Sequence, residues 1–316
     1  MSGPLKFTND TVIDTRRTKD KMASGIKNKK WLGYTLYVVL ITVLLLYYLF
    51  PAQAVEEFID NSVSSINQEF AFQAEKIGPW IPAGLQITTG KIYLSSTPEP
   101  VVFKADSLFV RPQILKLVKG EYSFDLDGKA YKGDIKGTLH LTGENKDIAG
   151  KIIFNDLALA DYSFLAEKYK HRMIGNLSGE IVYGNKSAGT ALGSGKVVLR
   201  LTGGQLQFQA PVLNIASVDL QSIKLEAELS RGEITIIKAE LAGSEVNGSM
   251  TGSIQLQKDI GLSQINLKGT LEPLAEFYKN YPGIRELLKT MKKRVKRGQY
   301  FFAVTGTLGD PKFKLL

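Results

Sequence analysis

The side chains able to do chemistry in this chain are few and widely spaced. His140 and His171 are its two histidines, 31 residues apart, and neither has a partner at the spacing of a metal site. Each reads as a surface or hydrogen-bonded imidazole. Asp125 and Asp127 alternate, so on a strand both carboxylates point the same way, as an acid pair requires. Beside Gly128 they read as solvated strand carboxylates. With no cysteine, thiol nucleophiles, thiolate metal sites and disulfide frameworks are excluded together, and an oxidising compartment is tolerated. No G-x-S-x-G, H-E-x-x-H or G-x-x-x-x-G-K-[ST] occurs. The 30 glycines read as turn residues between strands, with no G-x-G-x-x-G to cradle a phosphate. The expectation is a protein without catalytic residues, cofactor or metal.

The elements that fill the 316 residues must therefore carry the function. A net charge of +9 suggests nucleic acid until it is mapped. Residues 1–30 hold eight Lys/Arg and three Asp, and residues 285–297 hold seven Lys/Arg and one Glu, which leaves the rest at −2. The body is not basic, and no nucleic-acid partner is expected. From Trp31 to Phe50 there are 20 residues without a charge, which as a helix span about 30 Å, the hydrocarbon thickness of a bilayer. Trp31, Tyr34 and Tyr37 gather at one end, and Tyr47, Tyr48 and Phe50 at the other, as interfacial belts do. Lys27, Lys29 and Lys30 precede the run, while Glu56, Glu57 and Asp60 follow it. This bias predicts a cytoplasmic N-terminus and an exported remainder, periplasmic in a bacterium. Ala52-Gln53-Ala54 resembles a signal-peptidase site, but the apolar run and the tail before it are long for a signal peptide. An uncleaved anchor is expected.

From Ala54 to Phe70 the residues Val55, Phe58, Ile59, Val63, Ile66 and Phe70 form one apolar stripe on a juxtamembrane helix. Beyond Trp80 the period falls to two. Val197, Leu199 and Leu201 alternate, as do Leu206 and Phe208, then Ile223, Leu225, Ala227 and Leu229. Ile234 with Ile236, Ile254 with Leu256 and Ile265 with Leu267 continue the pattern of half-buried strands. Asp127-Gly128, Gly203-Gly204, Arg231-Gly232 and Asn247-Gly248 read as turns. Connections this short pair neighbours antiparallel. A unit of Gly, hydroxyl or β-branched residue and aliphatic residue recurs at 136–139, 251–254, 268–271 and 305–308. Helical insertions are expected over Asp161–Arg172 and over Leu274–Arg297, the latter broken at Pro282-Gly283.

The resulting expectation is a mainly β, elongated, curved antiparallel meander with short helical insertions and one N-terminal transmembrane helix. Its divisions are a basic tail (1–30), an anchor (31–50), a juxtamembrane helix (51–72), a first β half (73–183), a flexible joint (184–195) and a second β half (196–316) with a helical insertion at 274–297. Lys289, Lys292, Lys293, Arg294, Lys296 and Arg297 form the densest charge in the exported part. They read as a contact for anionic headgroups or an acidic partner, or as the solvated face of a helix. A sheet with one apolar face must close, stack or hold a ligand. Leu199, Leu225 and Ile236 mark that face; an open groove for acyl chains and a closed sandwich both fit it.

The order of these features resembles a known family. Tyr48-Leu49-Phe50-Pro51 closes the span, Ala52–Val55 opens a helix, and a glycine-punctuated meander follows. Lys268-Gly-Thr-Leu-Glu-Pro, Tyr281-Pro282-Gly283 and Thr305-Gly-Thr-Leu-Gly-Asp-Pro-Lys close the chain. This arrangement is similar to the type II secretion system protein N family in its long β-rich form, itself similar to AsmA-like lipid-handling proteins. The resemblance covers most of residues 31–316, not the tail. It implies a non-enzymatic inner-membrane component or accessory of type II secretion that contacts other envelope proteins of the apparatus. The AsmA-like side implies instead binding or transfer of phospholipid along an apolar groove. A chain this short favours an accessory or a homo-oligomer over a groove crossing the periplasm alone.

Overall fold

The computed structural model describes residues 16–66, 69–81, 83–95, 97–142, 147–169, 171–185, 193–212, 215–283, 295–296 and 298–316. It divides into two units, Met1–Pro51 and Ala52–Leu316. The first is helix α1 (Arg16–Tyr48), whose segment Trp31–Tyr48 has a mean hydropathy of 1.8 and is exposed along its length. That helix is long and apolar enough to cross a membrane. Within it the Thr35 hydroxyl donates to the Trp31 carbonyl one turn earlier at 3.0 Å. Phe50 lies just past the helix end, before Pro51.

The second unit opens with α2 (Ala52–Ile66) and then becomes almost entirely strand. In order these are β1 (Phe70–Pro79), β2 (Leu85–Leu94), β3 (Thr97–Pro112), β4 (Tyr122–Ala130), β5 (Gly133–Thr142), β6 (Asp147–Ala158), β7 (His171–Gly184) and β8 (Ser194–Val212). They continue as β9 (Ile215–Ser230), β10 (Glu233–Ala242), β11 (Val246–Gln255), β12 (Gln264–Pro273), β13 (Val295–Lys296), β14 (Gln299–Thr307) and β15 (Pro311–Leu315). Short helices α3 (Ile114–Leu117), α4 (Phe164–Tyr169) and α5 (Ala275–Asn280) lie between strands. All strands belong to one sheet in which β1 to β12 follow sequence order, β14 pairs β12, and β13 and β15 pair β14. Each pairing is antiparallel. The sheet is curved and unclosed: the expected meander is the structure, and no second sheet closes a sandwich over it among the described residues.

Local chemistry sets the bends. Register shifts interrupt the ladder at Ile236/Lys238, at Phe154/Leu157 and at Ile174/Asn176. Extra residues of this kind kink a strand and raise its twist. The β9–β10 hairpin turns at Arg231 (φ +50°) and Gly232 (φ +77°), the two left-handed residues a tight primed turn requires. The β4–β5 hairpin turns at Tyr131 (φ +49°) and Lys132 (φ +64°), two residue types that give no turn signal. Asp127-Gly128 and Asn247-Gly248, expected as turns, lie inside β4 and β11. Gly128 is there because a side chain would strike the backbone of Ser107 and Leu108 on β3.

Four further boundaries differ from the sequence reading. The juxtamembrane helix stops at Ile66, and Phe70 begins β1. The insertion at 161–172 is a 3-10 turn (Leu159–Asp161) followed by α4, and His171 and Arg172 already belong to β7. On either side of the expected joint Gly184 pairs with Ser194, and the β7–β8 ladder runs from there to His171–Phe208 with one register shift at Ile174/Asn176, so both β halves belong to one sheet. Within the expected helical insertion 274–297, α5 is helical, Pro282 and Gly283 are helical again after Tyr281, residues 284–294 lie outside the described residues, and Val295–Lys296 pair with β14 as a strand.

One edge of the sheet is covered by its neighbour in sequence. Along α2, Glu56 and Asp60 stand one turn apart, and their carboxylates accept from the backbone amides of Ala74 (2.9 Å) and Phe72 (2.7 Å) on β1. A turn further on, Ser64 donates to the Phe70 carbonyl at 3.0 Å. Four helical residues rise about 6 Å and two strand residues about 6.7 Å, so the helix matches the edge ladder group for group.

Candidate functional site

Alternation along single strands becomes a continuous surface once the pairing is known. Direct antiparallel partners share a face. Followed from β1 to β15, they give the row Ile77, Ile87, Leu108, Gly128, Ile135, Phe154, Gly179, Leu199, Leu225, Ala239, Met250, Gly269, Phe302 and Leu315. A second row on the same face is Pro79, Leu85, Val110, Leu126, Gly137, Ile152, Ile181, Val197, Ala227, Ile236, Gly252, Leu267, Val304 and Phe313. Every position in both rows is apolar or glycine. Shorter rows flank them, from Leu177 through Leu201, Ile223, Leu241 and Leu271, and from Phe124 through Leu139, Leu229, Ile234, Ile254 and Ile265. At about 4.8 Å per strand and 6.7 Å per residue pair, the band is about 60 Å by 20 Å. Soluble monomers rarely expose apolar patches beyond a few hundred Å².

The opposite face is polar. Lys76, Thr88, Ser107, Lys129, Asp134 and Asn155 form one of its rows. Ion pairs cross neighbouring strands there: Lys151–Glu180 at 2.9 Å, Lys196–Glu226 at 2.6 Å and Arg111–Asp127 at 3.4 Å. The Lys196 ammonium titrates above its ordinary range, chiefly through its hydrogen bond to Glu226. Exposed pairs of this kind add little stability; they mark the solvent side.

Over β3 to β7 the apolar face is concave and encloses a cavity of about 440 Å³. Its sheet wall includes Phe103, Leu108, Leu126, Ile135, Ile152, Phe154, Leu177 and Ile181; its second wall is Leu159 and Tyr162, from the 3-10 turn and the residues after it. This segment, 159–169, packs on β7 and reaches across to β3. It is fastened at several points. The Ala158 amide donates to the Tyr131 carbonyl at 2.8 Å, and Lys132 pairs with Asp161 at 3.0 Å. The Tyr131 ring meets Phe103 and Tyr162 edge-on, with centroids 5.9 and 5.6 Å apart, and Tyr162 stacks on Phe164. The Tyr131 hydroxyl accepts from the Lys104 amide at 2.8 Å. Burial pushes the Tyr131 phenol up to about 12, partly offset by that amide.

The sequence-predicted residues fall into three groups. Leu199 and Leu225 are direct partners on the apolar face and half-buried, whereas Ile236, in the second row, is only 8% exposed and packs with Ala227, Ile265 and Leu267. Asp125 and Asp127 do share a side, the polar one, where Gln113 donates to Asp125 at 2.6 Å and Arg111 pairs with Asp127. His140 bonds to Ser123 at 2.7 Å, and His171 stands edge-on to Phe208. Trp31, Tyr34, Tyr47 and Tyr48 lie exposed on α1. Of the basic cluster, Lys289, Lys292, Lys293, Arg294 and Arg297 lie outside the described residues, and Lys296 is placed only by its backbone in β13. Tyr131, Tyr162 and Leu159 were not legible as site residues, although the aromatic run Tyr162–Phe164 at a break in the alternation marks the place. Compared with family models, curated proteins and solved structures, the chain matches none.

Proposed function

We propose that this protein binds lipid, with acyl chains lying along the concave apolar face of the sheet. The observation that carries the reading is the pair of apolar rows running through fourteen strands, over which no second sheet lies among the described residues. Sheets bury such a face against helices or another sheet. Here, among the described residues, α3 contacts β4, α2 lies along β1 and the segment 159–169 reaches from β7 to β3, which leaves much of the face to a ligand. An acyl chain is apolar along its length and has no hydrogen-bonding group to satisfy, which matches a surface without charge. Helix α1 supports the same reading, since a helix able to span a bilayer keeps the sheet beside a lipid supply. Under this proposal α1 is an inner-membrane anchor with its N-terminus in the cytoplasm, and the sheet is periplasmic. The secretion-system expectation rests on the sequence resemblance, and the geometry of the apolar face does not bear on it.

Benzophenone side chains at Leu199, Leu225 and Met250, irradiated in cells expressing the full chain, test the proposal by mass spectrometry of the products. Phospholipid adducts are expected; adducts to neighbouring strands alone overturn it. Because the chain has no cysteine, single cysteines at Ser24 and Lys119 report topology without background. An impermeant thiol reagent applied from outside the inner membrane should label Lys119→Cys and spare Ser24→Cys.

A further inference from the structure

We infer that the cavity between β3 and β7 is a discrete station for one acyl chain, walled by the segment 159–169, and not merely a stretch of uniform groove. The inference rests on the lipid-binding reading and adds a location to it. A volume of about 440 Å³ lies within the range of ligand pockets. Among the described residues no charged one lines it; Tyr131 and Tyr162 bring their hydroxyls, and Ser107, whose side chain belongs to the opposite face, borders it. A peptide there would bury amides without partners, as would a sugar its hydroxyls; a hydrocarbon chain has nothing to leave unsatisfied. Ile152 and Ile181, direct partners at the cavity, are each 37% exposed, so the site opens toward the remaining face.

Two independent observations separate this place from the rest of the band. Tyr131 and Lys132 hold the left-handed region without glycine or asparagine, strain of a kind that gathers where the surroundings must fix a side chain for function. What that strain secures is the Tyr131 ring against Tyr162 and the ion pair from Lys132 to Asp161. Further along the sheet the face is packed more tightly, with Ala227, Ile236 and Leu267 of the second row buried beside Ile265 of the flanking row.

The test uses the full chain reconstituted in vesicles of phosphatidylethanolamine and phosphatidylglycerol, with and without added oleate. Benzophenone is placed singly at Ile152 and Ile181 in the cavity and at Leu225 and Val304 beyond it. Each variant is first checked for unchanged circular dichroism. Lipid adducts about tenfold more abundant at the cavity pair are expected, and adduct mass distinguishes phospholipid from free fatty acid as the source. The combined change Leu159→Ala and Tyr162→Ala should bring the cavity yield down to that at Leu225. Equal yields at all four positions would overturn the station while leaving the groove standing. Absence of lipid adducts anywhere would remove both. Cavity adducts indifferent to the double change would overturn the role of the 159–169 segment.

Discussion

Strands β3–β7 and β9–β14 carry the same two apolar rows, yet they dispose of them differently. In the later strands the rows pack on one another: Ala227, Ile236, Ile265 and Leu267 are buried with Leu225, Met250 and Val304 around them. In the earlier strands the 3-10 turn and α4 stand across the concavity, Phe154, Leu157 and Ala130 form a small core at its margin, and a cavity remains. The difference lies in the connections. The β9–β10 turn is two residues long and adds nothing over the face, whereas the link from β6 to β7 carries Leu159, Tyr162 and Phe164 across it. Where the β6–β7 insertion crosses the face it walls a cavity; where Ala227, Ile236 and Leu267 pack together the face is buried.

The largest expected effect falls on the region of the cavity. Phe154 is buried over Gly179, so Phe154→Ala should cost about 3–5 kcal/mol in urea unfolding, whereas half-buried Met250→Ala should cost about 1–2 kcal/mol. Equal costs would mean the two regions are packed alike. Glycine positions on the apolar rows come next. At Gly269 a Cβ would press on the Ser249 carbonyl and the Phe302 ring, so Gly269→Ala should lose about 1–3 kcal/mol while leaving lipid adducts at Ile152 unchanged. Smaller again is Asp60→Ala, which removes the acceptor for the Phe72 amide. A loss of about 1–2 kcal/mol and faster hydrogen exchange at Phe72 are expected. The turns give the smallest shift: Arg231→Asn supplies the residue favoured at that left-handed position and should raise stability by about 0.5 kcal/mol.

Alkaline titration sharpens the comparison from another side. Tyr131 ionises higher in the folded chain than in the unfolded one, so its contribution is fully present below pH 10. It fades as pH rises toward about 12. Difference absorbance between the natural chain and Tyr131→Phe should show a late tyrosinate step, and Tyr131→Phe should be less sensitive to pH across that window. A step at the ordinary tyrosine position would mean the ring is solvated.

Periodicity made the architecture legible because burial of one face is written into each strand as a period of two. Val197–Leu201 and Ile223–Leu229 show it without any knowledge of their partners. Turns were legible where the left-handed position carried glycine, as at Gly232, and invisible at Tyr131-Lys132, where the surrounding contacts impose the conformation. The converse error has the same root. Gly128 and Gly248 looked like turns but serve close approach between strands. The recurring Gly-hydroxyl-aliphatic unit proved to be an in-strand device, with Gly137, Gly252 and Gly269 on the apolar rows and Thr138, Ser253 and Thr270 outward. The cavity escaped the sequence because it depends on one segment crossing four strands, and no local pattern encodes that reach.

The acceptors that α2 offers to β1 bear on how copies of this chain can meet. A row of free amides is the template on which β proteins polymerise, and at β1 that template is occupied by Glu56 and Asp60. Among the described residues β15 pairs on one side only, and it carries Pro311, Lys312 and Lys314. Among the described residues the opposite edge of the sheet is formed by β13 and β15 against β14, so strand-to-strand contact between copies is expected there before it is expected at the capped stretch of β1.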